Sequence, residues 1–124
     1  MARLLVVDDD EDIRELLSLA LGIAGHDVVT ASDGPDALDV LAAEPIDLMV
    51  LDVSMPQMSG LEVARRVRAT PPAPAPVILM LSAMADPDDI AAGLEAGADS
   101  YATKPFSIPS LTRTVEKLLQ GRSS

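Results

Sequence analysis

Three short, unbroken apolar runs constrain this chain more than any other feature: Leu4-Leu5-Val6-Val7, Leu48-Met49-Val50-Leu51 and Val77-Ile78-Leu79-Met80-Leu81. Each is too short for a buried helix and rich in branched residues, the pattern of strands covered on both faces, as parallel strands are. Asp27–Ala31 and Asp99–Thr103 are more mixed in polarity and suit the edges of a sheet. Between these segments the apolar period becomes helical. Ile13, Leu16, Leu17, Ala20, Leu21 and Ala24 trace one stripe, which Gly25 ends. Ala37, Leu38 and Leu41 mark a helix over 34–43, with Pro35 in its first turn. Leu61, Ala64 and Val67 mark the next, and Ile90, Ala91 and Leu94 the one after. A last helix, from Pro109, carries Leu111, Val115, Leu118 and Leu119. Strand and helix alternating five times predict a three-layer, doubly wound (βα)5 fold of the α/β class, with a parallel sheet and right-handed crossovers. Placing the oily strands centrally puts the second and fifth at the edges; the order 2-1-3-4-5, with a switch point between the first and third strands, satisfies this, and other orders remain open.

A length of 124 residues fits one domain, expected over 1–121 with a polar tail at 122–124. Thr70-Pro71-Pro72-Ala73-Pro74-Ala75-Pro76 reads as a stiff, extended connection inside that domain. The absence of Cys excludes disulfides, thiolate metal sites and a Cys nucleophile. No secretory leader and no run of about 18 apolar residues is present, so a cytoplasmic protein without membrane contact is expected. Twenty acids against nine bases give a net charge of −11, a surface that repels phosphate backbones. Tyr101 and Phe106 are the only aromatics, too few for a base-stacking platform, so no direct nucleic-acid binding is expected. His26, the single histidine, falls in a predicted turn and reads as a solvated loop residue.

In sheets of this kind ligands gather beyond the carboxyl ends of the strands, near the switch point. Those ends carry Asp8, Asp9 and Asp10, then Asp52, then Ser82, then Thr103 and Lys104. Asp10, Glu11 and Asp12 are accounted for by the first helix, whose N-terminus favours carboxylates. Asp8 and Asp9 are not, because two acids directly ending a buried strand are costly without a cation. Carboxylates about 5 Å apart repel by roughly 3 kcal/mol per pair at an effective dielectric near 20. An all-oxygen donor set without His or Cys favours Mg²⁺ over zinc, and Mg²⁺ beside a lysine neutralises a transferring phosphoryl group.

Five segments in order carry a family resemblance: Val6-Val7-Asp8-Asp9, Leu51-Asp52-Val53-Ser54-Met55-Pro56-Gln57-Met58-Ser59-Gly60, Leu81-Ser82-Ala83, Gly97-Ala98-Asp99 and Lys104-Pro105-Phe106. With them the chain resembles, over essentially its whole length, the receiver domain of two-component response regulators, which has a flavodoxin-like fold. The resemblance implies that Asp52 is the phosphoacceptor, attacking a phosphohistidine on a sensor histidine kinase or phosphotransfer protein. It implies that Asp9 and Asp52 bind Mg²⁺ directly (with Mn²⁺ able to substitute), Asp8 through water, and Ser54 through its backbone carbonyl. Ser82 and Lys104 would contact phosphoryl oxygens. Ser82 and Tyr101 would form a switch couple that controls a downstream protein or output domain through the face of the fourth helix, fifth strand and fifth helix. Ser54 and Met84 stand at the positions that tune the lifetime of the acyl phosphate. Lys104-Pro105 is expected to be cis. The chain would be a phosphoacceptor signalling domain rather than an enzyme, and a monomer or weak phosphorylation-dependent dimer.

Some positions depart from the common pattern. Ser100 in Ala98-Asp99-Ser100-Tyr101, Ile90 and Thr114 replace residues that DNA-binding members often use in charged dimer contacts. Rival readings fit less well. A Mg²⁺-dependent phosphohydrolase with an Asp nucleophile needs a second acid at position 54, where Ser54 stands. A flavin binder needs a Ser/Thr-rich first loop and aromatics. A docking module that is never phosphorylated would have lost Asp52 or its neighbouring acids, and all are present.

Overall fold

The computed structural model describes residues 2–72 and 75–123. Along the chain these form β1 (Arg3–Val7), α1 (Glu11–Ile23), β2 (Asp27–Ala31), α2 (Gly34–Ala43), β3 (Leu48–Leu51), α3 (Gly60–Ala69), β4 (Val77–Ser82), α4 (Pro87–Ala96), β5 (Ser100–Thr103) and α5 (Ile108–Ser123). The sheet is parallel throughout and ordered β2-β1-β3-β4-β5, as the apolar runs predict. Helix α5 continues to Ser123, past the point where a polar tail is expected. Of the proline-rich connection, Ala73 and Pro74 lie outside the described residues.

Alternation along the central strands divides the core in two. Leu5, Val7, Met49, Leu51, Ile78 and Met80 face α2, α3 and α4, packing with Ala37, Leu41, Val63, Val67 and Ala96. Leu4, Val6, Leu48, Val50, Leu79 and Leu81 face α1 and α5, packing with Leu17, Leu21, Leu111 and Val115. Both faces of β1, β3 and β4 are thus sealed, which is why their sequences do not alternate. Burial of each such side chain contributes about 1.5–3 kcal/mol.

Side-chain caps set the helix starts. Asp10, Asp33 and Ser59 accept from the backbone N–H of Asp12, Asp36 and Glu62. Gly25, just after α1, has φ 102°, the left-handed conformation that favours glycine.

Two expectations are corrected. The stripe Ile90, Ala91 and Leu94 is not the buried face of α4; Gly93 and Ala96 are. The cause is Tyr101, whose ring lies so close that a Cβ on Gly93 would sit 2.7 Å from Cδ2. Helix α4 therefore docks through small residues and leaves Leu94 exposed. His26 is not a solvated loop residue: its side chain is only 6% exposed. Its Nδ1 accepts from the Ala2 N–H at 3.2 Å, and Nε2 lies 2.5 Å from Glu116 Oε1, joining the start of β1 to α5.

The Gly97-Ala98-Asp99 segment is a clamp at the amino end of the sheet. Asp99 accepts from the Ile78 N–H at 2.8 Å and from Arg68 Nη2 at 2.9 Å. Arg68 also donates to the carbonyls of Gly97 and Pro76. Gly60 makes the closest approach at the other end. A Cβ there would lie 2.1 Å from the Asp52 carbonyl oxygen, so the start of α3 rests directly on the backbone of Asp52. Gly60→Ala is expected to destabilise the fold by about 2–3 kcal/mol. Its urea unfolding midpoint should fall accordingly; an unchanged midpoint would contradict this packing.

Candidate functional site

The parallel ladder brings distant acids together. Past the last paired residues, Asp8 N–H still donates to Ala31 O at 3.2 Å and Asp52 N–H to Val7 O at 3.0 Å. On the other side of the sheet, Lys104 N–H donates to Ser82 O at 2.9 Å. Asp8, Asp52, Ser82 and Lys104 therefore leave four strands at nearly the same level, at the carboxyl end beside the switch point.

Among the described residues, the buried polar ones are Asp8, Asp52 and Ser82, at 2%, 6% and 1% exposure. Asp9 is exposed above them. One oxygen from each of Asp8, Asp9 and Asp52 lies within 4.8 Å of the others. Lys104 Nζ is 2.9 Å from Asp8 Oδ2 and 3.6 Å from Asp52 Oδ2. One ammonium thus faces three carboxylates, which leaves a net negative charge in a largely dry place. The donor set is all oxygen and its spacing leaves room for one small ion. These residues fit a hard divalent cation such as Mg²⁺.

The charges show in the proton affinities. Burial pushes the Asp52 carboxyl above its ordinary value of 3.8, Asp8 pushes it the same way, and Lys104 opposes both. Burial pulls Lys104 down, but its hydrogen bond to Asp8 and the charges of Asp52 and Asp8 together win, so it is raised above 10.5. Lys104 is charged throughout the neutral range.

The remaining predicted residues surround this centre. The Lys104-Pro105 bond is cis, as expected. Ser82 Oγ accepts from the Met84 N–H at 3.2 Å. The Tyr101 hydroxyl donates to Met84 O at 2.6 Å, and burial raises its pKa, with the nearby Ser82 hydroxyl acting against that. Ser54 and Met84 touch each other: Ser54 Oγ donates to Met84 Sδ at 3.3 Å. Asp10 caps α1 and stays out of the cluster, in keeping with its sequence reading.

Arg14 was not legible as a site residue. Its Nη1 donates to the Asp8 carbonyl at 2.8 Å. The available signal was charge: Arg14 is the only Lys or Arg between Arg3 and Arg65, and it stands beside the acidic start of α1.

Residues 4–116 match the family model described as response regulator receiver domain. The chain is 44% identical over 118 residues to the response regulator MprA of Mycobacterium avium (strain 104), covering 95% of this chain and 51% of that protein. The response regulator MprA of Mycobacterium tuberculosis (strain ATCC 25618 / H37Rv) is also 44% identical over 118 residues, with 95% and 50% covered. The chain therefore spans about half the length of these curated relatives. Among solved structures, the Francisella response regulator 1452 receiver domain superposes with a TM-score of 0.91 at 31% identity, covering 100% of both chains. The Vibrio cholerae chemotaxis protein CheY4 superposes with 0.89 at 36% identity, covering 95% of this chain and 98% of that one. No helix among the described residues is long and apolar enough to cross a membrane.

The raised Asp52 pKa fixes the sign of a pH effect. A carboxyl that binds its proton more tightly when folded favours the fold below pH 3.8, and this advantage is lost as pH rises through the folded value. At neutral pH without metal, Asp52→Asn should therefore melt higher than the wild type, by about 4 °C per kcal/mol relieved in a domain this size. The gap should close on acidification below pH 3.8. A variant that melts lower at neutral pH would contradict the electrostatics described.

Proposed function

The chain belongs to the response regulator receiver domain family of two-component signalling, and from that premise we propose that Asp52 accepts a phosphoryl group from a phosphohistidine on a sensor histidine kinase or phosphotransfer protein. One observation carries the reading: the buried polar residues of the described chain, Asp8, Asp52 and Ser82, meet at one end of the sheet beside Lys104. A carboxylate oxygen of Asp52 attacks phosphorus. The O–P bond forms as the P–N bond breaks, and the donor imidazole leaves with that electron pair. Attack requires Asp52 ionised, and Lys104 opposes the burial and the Asp8 charge that favour its protonation. Lys104 and the Ser82 hydroxyl then meet phosphoryl oxygens, so placement and charge supply most of the catalysis.

Asp9 and Asp52 would hold Mg²⁺ directly, Asp8 through water and Ser54 through its backbone carbonyl; Mn²⁺ would substitute. Bound there, the ion supplies the positive charge that offsets the clustered carboxylates and the incoming phosphoryl oxygens. The chain is in this reading a phosphoacceptor, not an enzyme acting on an outside substrate.

The donor must bring its imidazole to Asp52 past the neighbouring surface. Beside Lys104 lies a groove of about 400 Å³, lined by Ile13, Leu16, Pro105, Phe106 and Ile108. Leu16 is itself exposed, and the exposed Ile23 follows it two helical turns along α1. An apolar partner surface flanking the phosphohistidine fits this strip. On the output side, a phosphoryl group of charge about −2 draws the Ser82 hydroxyl from the Met84 N–H. Met84 carries the change to Tyr101 through its carbonyl, and so to the α4-β5-α5 face that a downstream protein or output domain reads.

Ser54 and Met84, which touch each other beside the site, offer no carboxylate or amide to orient an attacking water. A long-lived acyl phosphate follows. Acetyl phosphate with Mg²⁺ should add the mass of one phosphate to the wild-type chain and nothing to Asp52→Ala. After removal of the donor the adduct should persist for minutes. Mass gain in Asp52→Ala would overturn the acceptor assignment, and decay within seconds would overturn the lifetime.

A further inference from the structure

We infer that Arg14 is the positioning residue that aims Asp9 at the divalent ion, an inference that rests on the Mg²⁺ reading above. The two buried acids are held by their own side chains. Asp8 accepts from Lys104 Nζ and from the Asp10 N–H, both at 2.9 Å, and Asp52 lies against Lys104 and the Ser54 N–H. Asp9 differs. It is exposed, and among the described residues no side chain or backbone N–H holds its carboxylate. Whatever orientation Asp9 has comes through its backbone.

On its carboxyl side that backbone is held by the Asp10 N–H on Asp8 Oδ1, and on its amino side it is anchored by one side chain. Arg14 Nη1 donates to the Asp8 carbonyl oxygen at 2.8 Å. The Asp8 C=O and the Asp9 N and Cα lie in one planar peptide unit, so fixing that oxygen fixes the direction in which Asp9 leaves the strand. Asp8 itself is still tied to β2 through its N–H to Ala31 O, which steadies the residue from which that peptide departs. The position of Arg14 also needs an explanation. It is the fourth residue of α1, near the positive end of the helix dipole, where a cation is disfavoured. A local rule broken next to the site marks a residue kept for what it holds.

The sign of one measurement separates positioning from simple charge. Removing a cation near a Mg²⁺ site should tighten binding by Coulomb's law, whereas releasing the Asp8–Asp9 peptide should weaken it. Calorimetric titration of the whole chain with MgCl₂ should show Arg14→Met binding about tenfold more weakly than the wild type, the range for lost support of a metal ligand. Arg14→Lys, which keeps the charge but loses the planar donor, should also bind more weakly, and it covers the case in which Arg14→Met fails to fold. Asp9→Asn serves as the reference for loss of the ligand itself. If the wild type binds and Asp9→Asn does not, but both Arg14 variants bind as tightly as wild type or tighter, the positioning role is overturned and the Mg²⁺ reading stands. If the wild type takes up no Mg²⁺, the reading falls and this inference with it.

Discussion

Mutual repulsion among Asp8, Asp9 and Asp52 is the constraint on which the rest of the structure turns. A parallel sheet ends its strands at a common level, and here the residues that follow β1 and β3 are acids with little water around them. Lys104 offsets part of the charge at 2.9 Å and 3.6 Å. The remainder is what gives the site its proposed affinity for a divalent ion and for a phosphoryl group carried beside it. The same repulsion, with desolvation, raises the proton affinity of Asp52. A fold that tolerates such a cluster must be rigid elsewhere, and the doubly sealed strands supply that rigidity.

Packing around the acceptor serves its placement. Gly60 lets α3 begin directly on the carbonyl of Asp52, and Ser59 caps that helix. At the far end of the sheet, the clamp of Arg68 and Asp99 ties α3 to β4 and to the turn before β5. Met84 joins three elements of the proposed signalling path: its N–H meets Ser82, its carbonyl meets Tyr101 and its sulfur meets Ser54.

Much of this was legible in the chain. Continuous apolar runs mark doubly covered strands because only such strands lose the period of two; the oiliest runs separated central from edge strands, while the order among the central three is set by the pairing itself. The acids and Lys104 were legible because the fold class says where strand ends meet. Other features depend on tertiary contacts that no local pattern encodes. The stripe on α4 pointed to Ile90, Ala91 and Leu94, whereas the ring of Tyr101 selects Gly93 as the docking surface. His26 looked like a turn residue, yet Glu116, distant in sequence, and the start of β1 enclose it. Arg14 was hidden for a similar reason: its partner is a backbone carbonyl, and carbonyls carry no sequence signature.

In the proposed site, carboxylates from separate strands share one divalent ion at the carboxyl end of the sheet. Anomalous scattering from a crystal of the chain soaked in MnCl₂ tests it most directly. One strong peak bound by the side chains of Asp9 and Asp52 is expected. A crystal whose only manganese lies elsewhere on the acidic surface, or that takes up none, would contradict it.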